Sequence, residues 1–122
     1  MTKKILIVED YPDARNFMKF LVESYGGYQA LEAADGQEAV EAVQTQHPDL
    51  VLMDLAMPVM DGLAATRVIR GFDGKDKLPI IAVSAHGQSY YRLAIEAGCD
   101  DLINKPLDFA MLEPVLKQYL GH

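Results

Sequence analysis

The chain has 122 residues, 50% hydrophobic and 24% charged, which is enough to bury one core without disulfide or metal staples and fits a single domain over residues 1–122. Its formal net charge of −7, with 11 scattered Lys and Arg, argues against direct nucleic-acid binding, which needs clustered positive charge facing phosphates. No apolar run approaches a membrane span and no signal peptide follows Met1, while the one cysteine, Cys99, cannot close an internal disulfide; a cytoplasmic protein without a membrane anchor is expected, with Cys99 a small buried hydrophobe.

Ile5, Leu6, Ile7 and Val8 form a short β-branched run, the pattern of a strand covered on both faces. Ala14, Phe17, Met18, Leu21, Val22 and Tyr25 then recur at helical spacing, with Pro12 suited to the first turn and Gly26-Gly27 to the end. A second strand is expected around residues 29–33. Asp35 followed by Glu38 has the form of a helix-capping pair, Ala39, Val40 and Val43 supply an apolar stripe, and His47-Pro48 stops the helix. Leu50 to Met53 make a third strand, and Gly62 precedes a third helix from Leu63 to Arg70.

The charged stretch 71–78 reads as a solvated loop. After Pro79 come a strand over 80–83 and a helix with Tyr90, Leu93, Ala94 and Ala97 on one face, closed by Gly98. A short strand at Leu102-Ile103 follows, then a last helix using Phe109, Leu112, Leu116 and Leu120. Pro114 inside that helix predicts a kink or a late start. Five strands alternating with five helices give an α/β fold, a parallel sheet covered on both faces with right-handed connections.

The polar residues gather at one edge of this sheet. The first strand runs into Glu9-Asp10, the third into Asp54, the fourth into Ser84 and the fifth into Asn104-Lys105. Ligands of open parallel sheets bind outside the carboxyl ends of the strands. Three carboxylates facing one lysine leave room for a cation, and hard carboxylate oxygens at a wet edge suit Mg²⁺. The histidines, at 47, 86 and 122, have no zinc-ligand spacing.

These segments, in this order, resemble the receiver domain of bacterial two-component response regulators. KKILIVEDYPDAR is similar to that family's first strand and acid pair, and LVLMDLAMPVMDG, with Met57-Pro58 and Asp61-Gly62, to the signature around its phospho-accepting aspartate. IIAVSAHG resembles the hydroxyl-bearing segment and AGCDDLINKP the lysine-proline ending. The resemblance spans the whole chain and implies the flavodoxin-like strand order 2-1-3-4-5, of which the chemotaxis receiver is a known example.

It also implies roles. Asp54 would accept a phosphoryl group from a sensor histidine kinase or a phosphotransfer protein. Asp10 and Asp54 would bind Mg²⁺ directly, Glu9 through a water, and the backbone carbonyl of Ala56 would add a ligand. Lys105 and Ser84 would engage the phosphoryl oxygens, and a cis peptide would precede Pro106. The protein would then signal to a downstream protein through its helix-four and strand-five face, as a monomer or a phosphorylation-dependent dimer. It would catalyse only its own phosphorylation and dephosphorylation.

Three positions depart from the family pattern or bear on tuning. Leu102 stands where an aromatic switch residue is common, with Tyr90 read as packing and Tyr91 as a possible substitute. Ala56 and His86, two residues beyond Asp54 and Ser84, match positions that tune dephosphorylation in the family, which implies that His86 shields the phosphoryl group or orients water. The other reading, from its loop position, is a solvent-exposed histidine without such a role. The rival to a phospho-switch is a phosphate-independent interaction module of the same fold. An aspartyl phosphatase is disfavoured because Ala56 stands where a second acid belongs, and a Rossmann or P-loop enzyme because no glycine fingerprint follows the first strand. The start at Met1 and the end at Gly121-His122 favour a stand-alone regulator over an excised receiver.

Overall fold

The computed structural model describes residues 2–57, 59–72 and 74–121; Met1, Pro58 and His122, used above, lie outside the described residues. Along the chain run β1 (Lys3–Val8), α1 (Pro12–Ser24), β2 (Tyr28–Ala33), α2 (Gly36–Gln46), β3 (Leu50–Asp54), α3 (Gly62–Arg70), β4 (Ile80–Ser84), α4 (Gln88–Ala97), β5 (Asp101–Asn104) and α5 (Phe109–Leu120). All strands are parallel, in the order β2-β1-β3-β4-β5. This is the expected flavodoxin-like arrangement, and its register sets every carboxyl strand end at one edge.

Alternation along the strands divides the core. Leu6, Val8, Val51, Met53, Ile80 and Ala82 face α2, α3 and α4, where Ala39, Val43, Ala65, Ile69 and Ala94 meet them. Ile5, Ile7, Leu50, Leu52, Ile81 and Val83 face α1 and α5 through Met18, Leu21, Val22, Leu112 and Leu116. With both faces covered, the strands read as continuous apolar runs, so their side chains cannot be assigned to a face from polarity.

Helix ends follow their local chemistry. Pro12 opens α1. Asp35 caps α2 by accepting the Glu38 N–H at 2.9 Å, and the Glu38 carboxylate accepts the Ala34 N–H at 3.0 Å, so the capping pair works in both directions. His47 ends that helix in the left-handed conformation, with φ 50°.

Three expectations are corrected and a fourth is narrowed. Phe17, Leu93 and Phe109 are 49, 44 and 45% exposed, so none belongs to the buried stripes assigned to them. In α1 the stripe is carried by Met18, Leu21 and Val22, with Phe17 to one side. In α4 it is carried by Ala94 and Ala97, with Tyr90 partly buried against the same cluster. Phe109 is the first residue of α5 and packs edge-on to Tyr25 and Phe20, with ring centroids 5.6 and 6.4 Å away. Of the two outcomes expected of Pro114, a kink or a late start, the late start is ruled out, since α5 begins at Phe109 under the Asp108 cap. Leu112 and Leu116, 0 and 1% exposed, anchor the helix on either side of the proline.

Candidate functional site

Four strand ends build the site, because β3 and β4 carry their regular structure one residue past the apolar run. Asp54 is the last residue of β3 and Ser84 the last of β4, so parallel pairing positions both side chains with little freedom. Glu9 follows β1, its N–H held by the Ala33 carbonyl at 3.1 Å. Lys105 follows β5, its N–H held by the Ser84 carbonyl at 2.9 Å. The Lys105–Pro106 peptide is cis, as the resemblance implied.

The lysine ammonium sits between two carboxylates. Its Nζ donates to Glu9 Oε1 at 2.8 Å and lies 3.3 Å from Asp54 Oδ2. Glu9 and Asp54 are 1 and 3% exposed, an environment in which an unpaired charge is costly. The Tyr11 N–H donates to Glu9 Oε2 at 3.2 Å, and the Ala56 N–H to Asp54 Oδ1 at 3.3 Å. Asp10 stands exposed at the rim. Glu9, Asp10 and Asp54 can each offer an oxygen within 4.8 Å of the other two.

This crowding separates the two buried acids. Burial pushes the Asp54 carboxyl up to about 6, and its hydrogen bond and repulsion with Glu9 act in the same direction, against Lys105. At Glu9 burial also acts upward, but the hydrogen bonds from Lys105, Asp54 and the Tyr11 N–H overcome it and hold the group below its ordinary value. Lys105 is raised instead, burial acting downward but outweighed by Glu9 and Asp54. The pocket is therefore over-supplied with negative charge. Three hard carboxylate donors with one ammonium, and no soft ligand among them, fit a hard divalent cation such as Mg²⁺.

The remaining candidates lie around this centre. Ser84, 3% exposed, accepts the His86 N–H on Oγ at 3.0 Å. His86 itself is exposed, and its ring lies 5.3 Å from that of Tyr90. Tyr90 and Leu102 are partly buried against the core, whereas Tyr91 is 42% exposed. Beside the site a groove of about 390 Å³ is lined by Ala14, Phe17, Met18, Val83, Pro106 and Leu107, with Glu9 and Lys105 at its edge. Phe17 therefore lines a surface groove beside the core.

Two contributors take roles that the sequence did not assign to them, Gly62 having been named only as part of the Asp61-Gly62 signature and as the residue before the third helix. Gly62 packs so closely under Asp54 that a Cβ there would lie 2.1 Å from the Asp54 carbonyl oxygen. Arg15 donates from Nη1 to the Glu9 carbonyl at 2.9 Å and from Nε to Glu32 Oε1 at 3.2 Å. The Asp-Gly pair signals the first; no sequence signal marks the second.

The loop between β3 and α3 also stores strain. Val59 is 86% exposed and holds φ at 67°, a region unfavourable for a β-branched residue. Val59→Gly is expected to raise stability by about 1 kcal/mol in urea unfolding, relief of strain outweighing the entropy of the added glycine.

Comparison with known proteins gives a consistent family. Residues 5–117 match the response regulator receiver domain model. The polar-differentiation response regulator DivK of Brucella ovis is 33% identical, over 99% of this chain and 98% of its own. The receiver domain of the sensor histidine kinase PA1611 from Pseudomonas aeruginosa, solved with a magnesium ion coordinated in its active-site cleft, superposes with a TM-score of 0.91 at 35% identity, covering 100% of both chains. A putative response regulator from Chloroflexus aurantiacus superposes with a TM-score of 0.93 at 27% identity, again over 100% of both.

Proposed function

Because the chain belongs to the response regulator receiver family, we propose that it is a phosphorylation-dependent signalling switch, a single receiver domain acting in the cytoplasm. Asp54 accepts a phosphoryl group from the phosphohistidine of a sensor histidine kinase or a phosphotransfer protein. One Asp54 carboxylate oxygen forms the new P–O bond in line as the P–N bond breaks, and that bonding pair goes to the imidazole nitrogen. Asp10 and Asp54, with the Ala56 carbonyl, would hold Mg²⁺ directly and Glu9 through a water, and the ion would supply positive charge against the phosphoryl oxygens.

The observation that carries this reading is the position of Lys105. Its ammonium is shared by Glu9 and Asp54 at 2.8 and 3.3 Å, within reach of charge added at Asp54. Phosphorylation exchanges one negative charge at Asp54 for nearly two and adds acceptor oxygens. Lys105 and the Ser84 hydroxyl turn towards them, and the Ser84–His86 contact couples that movement to the start of α4. Tyr91 and Ile95, 42 and 38% exposed and one turn apart on that helix, supply apolar contact for a downstream protein.

The test is labelling by acetyl phosphate, a small phosphoryl donor, of the wild type and Lys105→Met. The wild type is expected to take up the label in a Mg²⁺-dependent reaction, and the variant to do so at least ten-fold more slowly, since a positioned charge at a transferring phosphoryl group contributes about 2 kcal/mol or more. No Mg²⁺-dependent label on folded wild type would overturn the switch in favour of a phosphate-independent interaction module. Equal rates in the two proteins would remove Lys105 from the reaction.

A further inference from the structure

We propose that Arg15 is a positioning residue for the divalent cation site, holding the Glu9–Asp10 peptide so that the Asp10 carboxylate meets those of Glu9 and Asp54. The inference rests on the metal-binding reading above and adds a residue that touches neither cation nor phosphoryl group.

Glu9 is fixed at every polar atom. Its N–H bonds the Ala33 carbonyl at 3.1 Å, its carboxylate bonds Lys105 and the Tyr11 N–H at 2.8 and 3.2 Å, and its carbonyl accepts Arg15 Nη1 at 2.9 Å. That carbonyl belongs to the peptide plane joining Glu9 to Asp10, so holding its oxygen sets the direction in which the exposed Asp10 leaves the strand. Asp10 has to present an oxygen within 4.8 Å of the two buried acids.

Arg15 is itself held. Its N–H donates to the Tyr11 carbonyl at 2.9 Å in the first turn of α1, and its Nε bonds Glu32 on β2 at 3.2 Å. Lys19 lies 3.8 Å from the other Glu32 oxygen. A planar guanidinium can serve the Glu9 carbonyl and the Glu32 carboxylate in two fixed directions at once, which a lysine ammonium on its flexible stem does not reproduce.

Arg15 brings two opposing effects. Its positive charge near the acids weakens attraction for a second cation, while its hydrogen bond orders a ligand. Removing it should tighten metal binding if only its charge matters, and weaken binding if its position matters.

The experiment is calorimetric titration with Mg²⁺ alone of the wild type, Arg15→Met and Arg15→Lys, each checked by urea unfolding. Positioning predicts about ten-fold weaker binding by folded Arg15→Met, the scale seen when groups that orient metal ligands are lost. Arg15→Lys should also bind several-fold more weakly although the charge is unchanged, and it decides the matter if the methionine variant does not fold. Saturable wild-type binding with variants that bind as tightly or more tightly overturns the role of Arg15 alone. Wild type without saturable Mg²⁺ binding overturns the metal reading, and the positioning role with it.

Discussion

Gly62→Ala is expected to lose about 3 kcal/mol of stability and to lose phosphoryl acceptance out of proportion to that loss. The added methyl would sit 2.1 Å from the Asp54 carbonyl oxygen and 3.0 Å from both the Asp54 carbonyl carbon and the Leu55 Cα. All three are backbone atoms, so no side-chain rotation relieves the contact, and the cost is that of overpacking with a backbone shift. The Gly62 N–H also donates to the Leu55 carbonyl at 3.2 Å, so the shift would move the end of β3 that carries Asp54.

Gly36 provides the comparison, because a methyl there would lie 2.3 Å from the Met60 carbonyl, further along the same loop. Gly36→Ala should be destabilised to a similar degree and yet, while folded, keep most of its phosphoryl acceptance. Urea unfolding and acetyl-phosphate labelling of both variants check this. Equal labelling losses would mean that general loosening of the loop matters more than the position of Asp54.

Asp54→Asn is expected to be more stable than the wild type near pH 7.5 without divalent cations, by on the order of 2 kcal/mol. The Asp54 carboxyl is pushed up to about 6 from an ordinary 3.8, so the native state holds its proton more tightly than the unfolded chain does. The stability associated with the protonated form is present below about pH 4 and is lost as pH rises through 6, where the buried carboxylate ionises beside Glu9. Asparagine does not ionise, so the advantage of the variant should shrink towards zero near pH 4.

Glu9 works in the opposite sense. Its lowered value adds stability above the ordinary carboxylate range, and that stability is lost on acidification. The comparison is therefore between variant and wild type at each pH. Magnesium should stabilise the wild type by mass action and narrow the gap. Urea unfolding at both pH values, with and without Mg²⁺, gives the result; a variant less stable at pH 7.5 without cation would show that Lys105 already balances the pocket.

The fold was legible because α/β alternation is written twice, in continuous apolar runs and in helical stripes with caps. The Asp35–Glu38 pair and the residues at the strand ends could be named before any geometry was known, since parallel strands deliver their carboxyl ends to one edge. Within a stripe the reading was less sharp. Phe17, Leu93 and Phe109 have the right spacing, but a helix on a sheet turns only part of its apolar residues inwards, and which part depends on its roll. Arg15 was silent because its role consists of hydrogen bonds to the backbone carbonyl of Glu9 and to a residue on another strand, neither of which leaves a pattern in spacing. The contrast between buried Glu9 and exposed Asp10 likewise depends on how the chain turns after β1, not on residue type.

The most direct test of the switch is intact-mass spectrometry after incubation with acetyl phosphate, with and without Mg²⁺, on the wild type and Asp54→Ala. The account predicts one phosphoryl adduct on the wild type, dependent on Mg²⁺ and absent from the variant. An adduct of the same yield on folded Asp54→Ala, or none on folded wild type under any condition, would contradict it.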